Sequence, residues 1–174
     1  MATTSVSGTS AARSRPADLG SWMVIIAGFA LIVYGLFFVW RNFNGFIELG
    51  LTPAHVGATP EQIRAFSPRL YNYISHLQVA IAGFIVALGV VTVSLAWNGM
   101  RHGISWAAAT VLAVVVVAVA ITLPLHYVYG LATMGHLGSL YVAVALFIVG
   151  SIMTLHSLRF TPFAYKGPGL PGPQ

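Results

Sequence analysis

Four long apolar stretches contain no Asp, Glu, Lys or Arg: Ser21–Trp40, Ser75–Trp97, Trp106–Leu125 and Leu137–His156. Each matches the roughly 20 residues that a helix needs to cross a bilayer. Lipid offers no hydrogen-bond partners to a backbone, so a crossing segment must be a helix or part of a closed barrel. The pattern therefore predicts an all-α membrane protein, an antiparallel bundle of four transmembrane helices. Only 6% of the 174 residues are charged and 57% are hydrophobic, against about 25% charged in a soluble domain. The mean hydropathy is +0.85.

The stretches divide the chain into a cytoplasmic N-terminal tail (1–20), a transmembrane domain (21–158) and a Pro/Gly-rich C-terminal tail (159–174) expected to be extended. Residues 1–20 have no apolar run, so they are not read as a cleavable signal. Sidedness follows from the basic residues. Arg13, Arg15, Arg101, Arg159 and Lys166 share one side, whereas Arg41, Arg64 and Arg69 share the other. Lys and Arg concentrate on the cytoplasmic side, which predicts both termini inside, in a bacterial plasma membrane. The aromatic residues suit the same boundaries: Trp22, Trp97, Trp106 and Phe160 at one interface, and Trp40, Tyr71, Tyr73, Tyr127, Tyr129 and Tyr141 at the other. The net charge of +5 comes from scattered residues and gives no nucleic-acid surface.

The one sizeable loop, about 41–70, carries three helix-start signals. Thr59-Pro60-Glu61-Gln62 reads as an N-cap, Pro at the first helical position and a reciprocal Gln. Thr52-Pro53 and Ser67-Pro68 repeat the cap and the Pro. Short interfacial helices are expected over the extracytoplasmic mouth of the bundle. Pro124 should loosen span three, because it cannot donate to the carbonyl of Ala120. Small residues predict the packing faces. These are Gly28 and Gly35 in span one, Ala80, Gly83, Ala87 and Ser94 in span two, and Ser139, Ala143, Gly150 and Thr154 in span four.

With no cysteine, thiolate nucleophiles, Cys-ligated zinc and iron–sulfur clusters are excluded. No catalytic set is present, and nothing in the sequence makes the chain an enzyme by itself. The candidate chemistry lies in histidines. His76 opens span two, His126 closes span three and His136 opens span four, so alternating chain direction brings all three to the extracytoplasmic side. Arg69, Tyr73 and Tyr129 fall at the same level. Three cofactors fit these residue types. Two imidazoles ligate haem b, with Arg69 near a propionate and small residues after His76 admitting the macrocycle. Three imidazoles hold a copper or zinc ion. A histidine with a tyrosine hydrogen-bonds a quinone. The same histidines also suit helix ends and loop carbonyls. Glu48 and Glu61 are the only acids on that side.

No charged residue inside the spans marks an ion path. The sequence thus points to a non-catalytic accessory or assembly subunit of a larger membrane complex of bioenergetic type, embedded in lipid beside other subunits or copies of itself. The alternative is an electron-transfer protein with haem b or a quinone at the extracytoplasmic histidines.

Overall fold

The computed structural model describes residues 15–159. The expected tails before Arg15 and after Arg159, with Arg13, Phe160 and Lys166, lie outside the described residues. Every regular element among the described residues is helical: α1 (Arg15–Asn44), α2 (Pro53–Val56), α3 (Pro60–Phe66), α4 (Pro68–Ser94), α5 (Ser105–Val128) and α6 (Met134–Arg159). A π-helical turn (Leu95–Gly99) and a 3₁₀ turn (Met100–His102) follow α4. Four helical segments are long and apolar enough to cross a membrane: Ala17–Asn44, Pro68–His102, Ser105–Val128 and Met134–Leu158. The first helix thus starts earlier than the apolar stretch alone implied, and α5 runs through Pro124 to Val128.

Each of the three Pro signals starts a helix. Thr59 Oγ1 accepts from the Gln62 amide at 3.3 Å, while the Thr59 amide donates to Gln62 Oε1 at 2.8 Å. In α2, His55 takes the Gln role, its Nδ1 accepting from the Thr52 amide at 3.1 Å. Ser67 Oγ accepts from the Leu70 amide at 3.2 Å and starts α4. The α5–α6 turn is equally defined. Gly130, at φ 69°, ends α5 in the left-handed region, and Leu131 donates back to the His126 carbonyl at 2.8 Å. This is the glycine-terminated helix end.

α1 packs between α4 and α6, and α6 packs on α5. Extended contact between α4 and α5 is absent among the described residues; the π turn joins them at one end. Glycines set the close approaches. A Cβ on Gly20 or Gly150 would run into the carbonyl oxygen of the other, which locks α1 to α6. Gly28 meets Gly89 and Gly35 meets Ala82, which locks α1 to α4. Small residues at these contacts let the helix backbones approach closely. The π turn points Ala96, Gly99 and Met100 inward. There they join Val24, Ile25, Ala27, Ala107, Ala108, Val111 and Phe147 in the apolar core.

The expected span-two face is corrected. Gly83, Ala87 and Ser94 are exposed, and nothing lies within 4 Å of a Cβ on Gly83. The row that meets α1 is Ser75, Gln78, Ala82 and Gly89. Both rows have helical spacing and small residues. The glycines and the Asn42 amide on α1 select between them. In α6 the expected face holds at Gly150 and Thr154, both buried, whereas Ser139 is exposed.

Candidate functional site

The α1–α4 loop and the α5–α6 turn meet at one end, here the loop end. Three consecutive loop residues, Glu48, Leu49 and Gly50, dock on the start of α6. Thr133 caps α6 by accepting from the His136 amide at 3.1 Å, and its hydroxyl donates to the Gly50 carbonyl at 3.0 Å. Gly50, at φ 78°, lies so close that any Cβ would overlap the Gly135–His136 peptide. This close approach requires glycine.

His136 is 7% exposed. Its Nδ1 lies 2.9 Å from the Leu49 carbonyl. A carbonyl only accepts, so the proton is assigned to Nδ1. Nε2 faces Glu48 Oε2 at 3.4 Å. His136 and Glu48 therefore form a close polar pair at the start of α6. His126 sits beside them, its ring centroid 5.3 Å from that of His136. Its Nδ1 lies 2.8 Å from the Thr122 carbonyl, which leaves Nε2 as the basic nitrogen.

The sequence-predicted residues thus separate. His126 and His136 come together. His76 does not join them: it lies one residue, about 100° of helix rotation, from Ser75 on the α1-facing row, and it is exposed with Gly83 and Ala87. The opposite turn of the helix carries Thr92 and Ala96 towards the core. Arg69, Tyr73 and Tyr129 are also exposed. Tyr127, the residue after His126 and not among the predicted site residues, bonds Tyr141 across α5 and α6 at 2.9 Å. Among the described residues no three His, Asp or Glu side chains converge on a metal position. Between His126 and His136, Nε2 of one ring is already directed at Glu48.

The residues missed in the sequence are those that hold the loop. Asn42 Nδ2 donates to Ser75 Oγ at 2.8 Å, and Gln78 Nε2 donates to the Phe46 carbonyl at 3.0 Å. Arg41 Nε donates to the Ile47 carbonyl at 3.1 Å. Phe46, at φ 62°, stacks on Tyr71 with centroids 4.1 Å apart. The available signal was the presence of Asn42 and Gln78, amides at the margins of otherwise apolar helices. Comparison with family models, with curated proteins and with solved structures gives no match.

Proposed function

We propose that this chain is an integral membrane protein whose four long helices cross a bilayer as an antiparallel bundle with both termini cytoplasmic. We read it as a non-catalytic accessory or assembly subunit of a larger membrane complex of bioenergetic type. The observation that supports this reading is the use made of the loop-end polar groups. His136, Glu48, Thr133 and Gln78 bond to the protein's own loop or to each other, and Asn42 ties α1 to Ser75 on α4. The side chains suited to chemistry therefore serve docking of the loop. The apolar lengths support the crossing, and the excess of Lys and Arg on one side supports the orientation.

The test is native mass spectrometry of the protein extracted from its own membranes in mild detergent. The expected result is a mass above the 18.5 kDa chain, with other chains in fixed stoichiometry. A lone monomer overturns the subunit reading. Reporter tags at the two ends test the orientation: both should report cytoplasm, and opposite reports would overturn it.

A further inference from the structure

An exposed side of α4 leads up to the loop. Leu70, Tyr73, Leu77, Ile81, Phe84 and Val91 are all exposed. At about 100° per residue they fall within about 80° of helix rotation, so they form one continuous apolar stripe. It lies away from the row of Ser75, Gln78, Ala82 and Gly89 that meets α1. The 21 residues from Leu70 to Val91 rise about 31 Å, close to the ~30 Å of a bilayer's hydrocarbon core. A single exposed apolar residue needs no explanation, whereas a contiguous patch marks a surface that something covers.

The stripe does not stop where α4 begins. A groove of about 350 Å³ opens beside Leu70, lined also by Gly57, Ala58, Gln62, Ile63 and Phe66. α3 packs on α4, and its rotation is set by Arg64, whose guanidinium lies 4.2 Å from the Tyr71 ring centroid. Glu61 and Arg64 face the bend at Gly45–Phe46. Phe66 follows Arg64 by two residues, about 200° round the helix, and so turns away from that contact. It is 83% exposed, the most exposed large apolar side chain among the described residues. The charged side of α3 therefore meets the loop, and its apolar side opens onto the groove that continues the stripe. Arg69, exposed and one residue before Leu70, supplies a cation at the same end of the stripe.

We propose that α3 and the first turn of α4 form a lipid-docking surface, with Phe66 set into the acyl boundary and a phospholipid chain lying in the groove against Ile63 and Leu70. The stripe decides the occupant: it has the length of a hydrocarbon core, and the groove is joined to it through Leu70. Arg69 then stands at the level of the lipid phosphates, its stem along apolar surface and its charge at the head groups. An amphipathic element at such an interface buries its apolar side among the acyl chains and keeps its polar side in water. α3 is thus a lateral foot that fixes the start of α4 at the interface, not a lid over the mouth of the bundle. This inference rests on the membrane reading above and not on the subunit reading.

The chain has no cysteine, so single-cysteine variants of the full chain take a nitroxide label at one chosen site. Phe66→Cys, Ile63→Cys, Glu61→Cys and Phe84→Cys are labelled and reconstituted in vesicles of phosphatidylcholine and phosphatidylglycerol. Power saturation then compares collisions with oxygen, which concentrates in lipid, and with a nickel chelate, which stays in water. Oxygen should be the stronger collider at Phe66 and Ile63, as at Phe84 in the span, and the nickel chelate should be the stronger at Glu61. If Ile63→Cys does not fold, Phe66→Cys decides alone. Nickel dominance at Phe66 or Ile63 with oxygen dominance at Phe84 overturns the docking surface and leaves the membrane reading standing. Nickel dominance at Phe84 as well overturns both. Shielding of Phe66 from both colliders means that a second copy or a partner protein covers the groove, which also overturns the proposal.

Discussion

The two ends of the molecule are held by different physics. At the π end, backbones touch through Gly20 and Gly150, and Val24, Ile25, Ala96, Met100, Ala107 and Phe147 fill the space between. Arg101 closes that end, 4.4 Å from the Trp97 ring and 4.9 Å from the Trp22 ring, with Asp18 at 3.8 Å. At the loop end, contacts are directional: Asn42 to Ser75, Gln78 to Phe46, Thr133 to Gly50, and His136 to Leu49 and Glu48. α5 shows the change along one element. Its buried residues, Ala107, Ala108, Val111 and Val115, all lie in its first half. Dispersion is non-directional and additive over many atoms, so the π end tolerates small displacements of each. The loop end depends on a few bonds, each of which can be removed singly.

The largest effect is therefore expected where backbones touch. Gly150→Leu should destabilise the protein by ~3 kcal/mol, at the upper end of overpacking costs, because the side chain must displace the Gly20 carbonyl. Gly83→Leu, in open space on the other row of α4, is the matched control and should be near neutral. Thermal unfolding in detergent measures both. Equal losses in the two variants would overturn the assignment of packing rows.

Next in size is Gly50→Val, expected to cost ~2 kcal/mol through its positive φ and its overlap with Gly135. The loss should be local. Hydrogen exchange at residues 45–51 should accelerate while α1 residues 20–28 stay protected. Acceleration at both ends would mean that they are one cooperative unit. His136→Ala should cost ~1–2 kcal/mol by leaving the Leu49 carbonyl and Glu48 without their partner. Glu48→Gln, which keeps an acceptor facing Nε2, should cost less. The reverse order would sink the contact between His136 and Glu48.

The sequence carried the spans and the caps because both are local. Three Ser/Thr-Pro pairs and runs without charge need no knowledge of the rest of the chain. Gly28 and Gly35, seven residues apart, were also legible as a packing face. The choice between the two rows of α4 was not, since Gly83 and Gly89 are equivalent until a partner helix is placed. The π turn was hidden because Leu-Ala-Trp-Asn-Gly contains no signal for an added residue. The His136 contact with Leu49 spans 87 positions, and periodicity does not report such distances. The histidines of α5 and α6 were legible as neighbours because a short turn joins them. His76 was grouped with them only by level, and it is exposed on α4.

A smaller effect is expected at Arg101. Arg101→Gln removes two cation–ring contacts worth ~0.5–1 kcal/mol at partly exposed positions. The Trp22–Trp97 edge-to-face pair, 5.7 Å apart, should loosen, and tryptophan fluorescence should report it. An unchanged spectrum and unchanged stability would place the closure of the π end in the glycine contacts alone.

The smallest effect separates the loop from the rest by pH. The Glu61 carboxyl is held below its usual range, first by a hydrogen bond from its own backbone amide and then by Thr59; desolvation opposes them, and the charge of Arg64 adds the least. A carboxyl whose folded pKa is depressed contributes stability above its unfolded value, near 4.5, and loses it as pH falls through the lower folded value. Acidification below 4.5 should therefore fray the first turn of α3 while Gln62 and Thr59 still cap it. In the apolar core of the π end, residues 107–115 carry no titratable side chain, so their exchange rates, corrected for the intrinsic effect of pH, should not change over the same range. Exchange at residues 60–64 should accelerate in wild type but not in Glu61→Gln, which has nothing left to titrate. Equal acceleration in both would show that another group governs α3, and the contrast between the two ends would then need a different electrostatic origin.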